Sequence, residues 1–271
     1  MNIKSIYPYL GVSAVLSVAF RFLQIMLGTD SMSGLRNTDS PFSWLFILVI
    51  VLSSVGLYII PKLSYGIGKV TDIQFGKLIP LCAILSGLGC ALDAVRLIPY
   101  ASTLFLKIEL VLGLLAAVSL IIFGGILLKK LPEKLLIMLI FPVLFYAVNL
   151  SKEFLSDILI ATSPIASLIL FKTIFKLLFY LELLCFFFKE NQGEKIAKTL
   201  FISFAAVLIT LCDLLPTVAL TIAEPEKYSG LLSDPDYSDI IFIFFLLQFA
   251  ASIVKAVIKK SKALKSKTIE E

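Results

Sequence analysis

Eight long apolar stretches, separated by short charged segments, constrain this chain more than any other feature of its sequence. A helix that rises about 1.5 Å per residue crosses the ~30 Å hydrocarbon core of a bilayer with about 20 apolar residues. Stretches of this kind lie at Ile6–Leu27, Phe42–Ile60, Leu78–Ile98, Thr103–Leu128, Leu135–Leu150, Pro164–Phe188, Lys198–Ile222 and Ile240–Ile258. Backbone polar groups find no water in lipid, and the runs lack the alternation of barrel strands. The sequence therefore predicts an all-α, polytopic membrane helix bundle with eight transmembrane helices.

Basic residues are distributed unevenly among the segments that join these spans. With eight spans, sixteen basic residues fall on the side of the two termini, against four on the opposite side. Basic segments are retained in the cytoplasm, so both termini are predicted to be cytoplasmic. The fifth span is short and contains Pro142 and Asn149, but omitting it would place the lysine-rich end outside. The bias of lysine over arginine, and the lack of an organellar targeting segment, lead us to expect a multi-pass protein of a bacterial plasma membrane.

The connections are too short to fold as separate domains, so we predict one transmembrane domain over residues 1–258. A basic cytoplasmic tail over residues 259–271 is expected to lie along anionic lipid.

Corresponding features in the two parts of the chain suggest a duplication. Ser40 and Ser163 each precede a proline that opens a span, 123 residues apart, while Asp93 and Asp213 lie late in spans and are 120 residues apart. This pattern predicts parallel 4+4 repeats, with halves at 1–130 and 131–258. Chance agreement between apolar segments is the alternative.

The composition excludes several kinds of chemistry. Histidine is absent, which removes the usual general base and histidine-based metal or nucleophile schemes. The four cysteines fall inside apolar spans and behave as small hydrophobic residues. No phosphate-binding loop or basic aromatic surface for nucleic acid is present. We therefore assign no catalytic residue, cofactor or metal, and expect that the chain is not an enzyme.

Charged and polar residues inside the spans are the candidate functional residues, because ionisable groups in a bilayer normally face the bundle interior, a partner or water. The predicted intramembrane network comprises Arg21, Asp93, Lys107, Glu109, Asn149, Lys172, Lys176, Tyr180, Glu182 and Asp213. Most of these residues are expected in the outer half of the bundle. Arg21 is expected to pair with Glu109 or Asp93, and Lys172 with Asp213.

The sixth span carries a polar stripe, because Lys172, Lys176 and Tyr180 recur at every fourth residue and share one helix face. Such a stripe could line a pathway for an anion or carboxylate. It could equally be a packed ion-pair network that fixes helix register. The acidic segment Glu224–Asp239 is interpreted as a solvated outer loop. Small residues at every fourth position from Ala83, and Gly113 with Ala117, predict close helix packing.

Arg21 and Gln24, followed by the polar segment Asp30 to Gly34, resemble uncharacterised multi-spanning membrane proteins of low-GC Gram-positive bacteria. The resemblance covers only about the first 35 residues and implies no activity. The eight-span undecaprenyl-pyrophosphate phosphatases have a glutamate-rich motif and a conserved histidine, and this chain has nothing like either.

Three functions are compatible with these features. The first is a transporter or solute-binding permease component with a polar cavity in the outer half of the bundle, which would take a small-molecule solute. The second is a non-catalytic membrane sensor or partner subunit, whose buried charges are structural and whose partner is a membrane or cytoplasmic protein. The third is an intramembrane lipid-modifying enzyme. Hydration of the charged residues separates the first from the second.

Overall fold

A computed structural model describes residues 3–28, 40–64, 73, 75–100, 102–157, 164–188, 195–225 and 238–270. The long helices in these ranges are α1 (Ile6–Gly28), α2 (Pro41–Lys62), α3 (Leu78–Arg96), α4 (Leu104–Leu127), α5 (Ile140–Asp157), α6 (Pro164–Phe188), α7 (Ile196–Ala223) and α8 (Ser238–Glu270). Short 3₁₀ helices at Ile3–Ser5, Ile98–Tyr100 and Glu133–Leu139 flank α1, α3 and α5. The predicted all-helical class is confirmed for the part of the chain that is described.

Seven of these helices are long and apolar enough to cross a membrane by length and composition. These seven come from the described residues alone, and they do not include α6, which has 25 residues and carries Lys172, Lys176 and Glu182. A multi-pass membrane helix bundle is thus supported. The eighth crossing and the location of the termini stay predictions.

The observed helix ends differ from the predicted ones mainly in α5 and α8. The predicted fifth span began at Leu135, but α5 begins at Ile140, after the 3₁₀ segment, and continues to Asp157. Pro142 lies in the first turn of α5, where its missing N–H leaves no hydrogen bond unmade. The last helix begins before the predicted Ile240 and continues to Glu270, so the predicted tail prolongs α8.

Six helices form a closed ring in which each helix packs against the next, in the order α3, α4, α5, α6, α7, α8 and back to α3. α1 and α2 pack together outside this ring, against α7. In their most apolar stretches, 67% of α7 is buried but only 28% of α2. α7 is therefore an interior helix, and α2 is a peripheral one. The exposed side chains of α2, including Leu48, Val51 and Leu52, therefore face lipid. The predicted halves have different neighbours, and the internal repeat stays a prediction.

The seam between α3 and α4 shows the predicted close packing. A Cβ atom added to Gly87 would lie 2.7 Å from the carbonyl oxygen of Ala117, and one added to Gly124 would lie 2.7 Å from that of Pro80. Backbone atoms approach this closely only where the side chain is a hydrogen. The seam fixes α3 beside α4 and so positions Asp93 and Glu109 near the same end of the bundle.

We call the half of the bundle toward the C-terminal ends of α1, α3, α5 and α7 the distal half. The opposite half, which contains the beginning of α1 and the end of α8, is the proximal half. The two are lined differently: charged side chains converge in the distal half, and aromatic rings fill the proximal half.

Candidate functional site

Lys172 of α6 joins three helices through its ammonium group. Its Nζ donates to Oδ2 of Asp213 on α7 at 2.6 Å and to Oδ2 of Asp239 on α8 at 3.0 Å. The exposed fractions of the three side chains are 11%, 9% and 1%, in the order Lys172, Asp213, Asp239. The pairing of Lys172 with Asp213 is the one that the sequence led us to expect.

Lys176, one helical turn farther along α6, lies between a carboxylate and two aromatic faces. It forms an ion pair with Asp239 through the Oδ1 atom. Its Nζ also lies 5.6 Å from the centroid of the Tyr146 ring and 5.5 Å from that of the Phe242 ring. Tyr180 stacks on Tyr146 at 5.3 Å between centroids. The predicted stripe is therefore buried, and both of its lysines share Asp239. We call Lys172, Lys176, Asp213 and Asp239 the central cluster.

Further polar pairs surround the central cluster. Thr173 donates through Oγ1 to Glu153 at 2.9 Å, and Glu153 lies within electrostatic range of both lysines of the cluster. Ser238, the first residue of α8, donates through Oγ to Asp93 of α3 at 2.7 Å. The ring helices α3, α5, α6, α7 and α8 all contribute to this polar region.

Glu109 and Lys152 form an ion pair nearer the distal surface. Nζ of Lys152 lies 2.7 Å from Oε1 of Glu109. The carboxylate is 4% exposed and the lysine 41% exposed, so the buried acid depends on a cation that reaches water. The second oxygen of Glu109, Oε2, is buried and has no hydrogen-bond partner among the described residues.

Arg21 approaches the central cluster from outside the ring. Its Nη1 donates to Oε1 of Gln24 at 2.6 Å, and its guanidinium lies 5.5 Å from the centroid of the Phe46 ring. It is almost fully buried and within electrostatic range of Asp213. The expected pair of Arg21 with Glu109 or Asp93 stays a prediction, and the described contacts of these two acids are with Lys152 and Ser238.

Three other predicted residues lie apart from the central cluster. Lys107 is exposed on the surface of α4. Glu182 forms an ion pair with Lys198 in the proximal half of α6 and α7, so it is not a counter-charge for the distal lysines. Asn149 is partly buried on α5, and its Oδ1 is without a hydrogen-bond partner.

Several contributors were absent from the predicted network, among them Asp239, Lys152, Glu153, Thr173 and Ser238. Asp239 and Ser238 were placed in or beside the outer loop, whereas they form the first turn of α8. Glu153 was excluded because the fifth span was ended at Leu150. Thr173 could have been included from the sequence, since it is a polar residue inside the predicted sixth span and directly follows Lys172.

The first described turn of α8 meets the other ring helices at different levels. Asp239 shares Lys172 with Asp213, which precedes the end of α7 at Ala223 by ten residues, or about 15 Å of helix. Ser238 contacts Asp93, which lies only three residues before the end of α3 at Arg96. The first described turn of α8 thus lies near the end of α3, and α7 extends beyond it.

The arrangement can bind charge but is expensive to maintain. Transfer of two ions from water to a low-dielectric interior is offset by their attraction only when geometry and hydrogen bonding are good. The central cluster meets this condition by placing one carboxylate between two ammonium groups and one ammonium group between two carboxylates. Chemically, it is a site at which charged groups can exchange partners.

Comparison with known proteins gives no further constraint: no family model, no curated protein and no solved structure matches the chain.

Proposed function

We propose that the chain is the solute-binding or transporting component of a membrane permease. It spans the membrane eight times with both termini in the cytoplasm, and its solute site is the central cluster. The observation that carries the proposal is that Lys172 of α6 joins buried carboxylates of α7 and α8 within the bundle.

Buried charged groups within a membrane bundle are costly, because hydrocarbon does not solvate them. Such groups commonly mark the pathway of a solute or an ion. The cluster also draws its charges from three helices, so relative movement of α6, α7 and α8 would change which groups are paired.

A second candidate is supported by the mutual satisfaction of the charges. Each member of the central cluster has an oppositely charged neighbour, and the Asp239 side chain is only 1% exposed. A dry network of this kind can fix helix register without binding a solute. The chain would then be a sensor or partner subunit, and its function would lie in protein contacts.

Thiol accessibility tests both topology and hydration. Cys82, Cys90, Cys185 and Cys212 are first replaced, and Thr173→Cys, Ser102→Cys and Ala263→Cys are then made one at a time. Ser102 precedes α4 at the distal end, and Ala263 lies late in α8. A membrane-impermeant methanethiosulfonate added to intact cells should modify Ser102→Cys rapidly and Thr173→Cys more slowly, and should reach Ala263→Cys only after lysis. The reagent attacks the thiolate, which forms where water stabilises it.

Phe245→Cys, at a position buried in the proximal half, is the matched control and should stay unmodified. If Thr173→Cys were as inert as Phe245→Cys in a folded protein, the structural-network candidate would replace the permease proposal. Labelling of Ala263→Cys in intact cells would overturn the orientation.

A further inference from the structure

The charges around the lysine stripe point to the class of solute. Lys172 and Lys176 contact Asp239 of α8, Lys172 also contacts Asp213 of α7, and Glu153 of α5 lies within electrostatic range of both lysines. The two lysines are thus surrounded by carboxylates from three neighbouring helices. In a low-dielectric interior, such carboxylates favour a cation over an anion.

The lysine stripe of α6 is therefore not an anion pathway of the kind that its sequence suggests. Lys172 is already shared by two carboxylates, and Lys176 is paired with one of them. An entering anion would have to displace a protein carboxylate and would leave it buried without its partner, which is strongly unfavourable.

The surroundings of Lys176 resemble those of a bound ammonium ligand. Two aromatic faces, Tyr146 and Phe242, approach its Nζ within 6 Å, and Asp239 neutralises it. Tyr180 stacks on Tyr146 at 5.3 Å and lies 5.8 Å from Phe242, so the two rings are held in place from behind. Aromatic faces combined with a carboxylate are the usual means by which proteins recognise organic ammonium ions. We call Tyr146, Phe242 and Asp239 the ammonium cage.

We propose that the ammonium cage is the recognition site for an organic cation with an alkylammonium group, and that Lys176 occupies it when no solute is present. This inference rests on the proposed function and assigns its solute class. When the solute enters, its ammonium group takes the place of Nζ of Lys176 beside Asp239. The lysine, on its flexible four-carbon stem, then pairs with Glu153, whose carboxylate already lies within electrostatic range of it.

Binding of n-butylammonium to the purified protein in lipid nanodiscs is the direct test, because this ion reproduces the end of a lysine side chain. The wild-type protein should bind n-butylammonium, and Lys176→Ala should bind it at least tenfold more tightly because the internal competitor has been removed. Lys176→Met fills the same space without a charge and should bind it less tightly than Lys176→Ala. As single changes, Asp239→Asn and Tyr146→Leu should each weaken binding at least tenfold relative to wild type, while acetate should not bind.

Two outcomes would overturn the assignment. Binding to Lys176→Ala without any binding to wild type would mean that the cage is only a structural seat for the lysine. Absence of binding to both proteins would remove the cage as a ligand site.

A second measurement needs no change in the charged residues. In Thr173→Cys, a cationic methanethiosulfonate should react at least tenfold faster than an anionic one. This ratio of rates is divided by the ratio measured in Ser102→Cys, which corrects for the different reactivities of the two reagents. Faster reaction of the anionic reagent would contradict a cation site. Modification of Thr173→Cys without alkylammonium binding would overturn the solute class alone, whereas an inert thiol at this position would remove the permease proposal itself.

Discussion

The distal and proximal halves of α6 face the same interior but are stabilised in different ways. In the distal half, Lys172 and Lys176 contact carboxylates of α7 and α8. In the proximal half, Phe179 makes edge-to-face contacts with Phe245 and Phe249 at 5.7 and 5.8 Å between centroids. The ion pairs depend on the identity and protonation of each partner, whereas the rings depend on volume and shape. Substitutions in the two halves should therefore fail in different ways.

The contrast bears on function because well-packed apolar residues stabilise a bundle at least as well as buried ion pairs do. The proximal half shows that this fold builds such a core, with Phe75 stacked on Phe249 at 5.7 Å and Phe123 against Phe187 at 5.3 Å. The charges of the distal half are therefore not required for a stable bundle of this kind, which is consistent with the proposed solute site.

The largest expected effect is that of Asp239→Leu. The substitution removes the carboxylate that Lys172 and Lys176 share, and leaves two buried ammonium groups with fewer counter-charges. We expect the free energy of unfolding to fall by about 3–5 kcal/mol, as found when one partner of a buried pair is removed. Denaturant titration in bicelles measures this free energy of unfolding.

Glu133→Gln, at an exposed acid, is the matched control and should change the free energy of unfolding by less than about 0.5 kcal/mol. A loss from Asp239→Leu no larger than the control's would mean that the cluster is hydrated.

A smaller effect is expected when both members of a pair are replaced. Lys172→Met alone leaves Asp213 and Asp239 with one cation fewer, and Asp213→Leu alone removes one of the two acceptors of Lys172. Together they should destabilise the protein by about 1–3 kcal/mol less than the sum of the single changes. Recovery should be incomplete, because Asp239 still lacks Lys172. Strict additivity in the same titration would show that the ion pair contributes no coupling energy.

Hydropathy predicted most of the helices because membrane crossing imposes strong local conditions on each segment, whereas the orientation inferred from charge stays a prediction. The predicted sixth span coincides with α6, and the first begins with α1. Close packing at Gly87 and Gly113 followed from residue size alone. These features depend on the length and apolarity of each segment and on the volume of its side chains. All three follow from the residues of that segment alone.

The site was less predictable because it depends on how far helices are shifted along and rotated about their axes. The pairing of Lys172 with Asp213 could be inferred from equal depth on adjacent antiparallel helices. Asp239 could not, because a carboxylate at the edge of an apolar run looks like a loop residue unless the depth of α8 is known. The partner of Arg21 depended on the rotation of α1, and on its position outside the ring, which no local pattern encodes.

The smallest expected effect concerns the proximal half and completes the comparison. Phe179 and Phe249 meet edge to face, with centroids 5.8 Å apart and planes at 83°. A pair in this geometry contributes about 0.5–1.5 kcal/mol beyond the burial of area. A double-mutant cycle with Phe179→Leu and Phe249→Leu should give a coupling energy in this range. Unlike the coupling of Lys172 with Asp213, it should be unchanged in the Asp239→Leu background, because it depends on the volume and shape of the rings and not on charge. A cycle with Phe179→Leu and Phe46→Leu serves as the control, since Phe46 belongs to a separate apolar cluster and should show no coupling. If the Phe179–Phe249 coupling were lost in the Asp239→Leu background, the two halves would be one unit, and the distinction between a charged distal half and a volume-filled proximal half would be wrong.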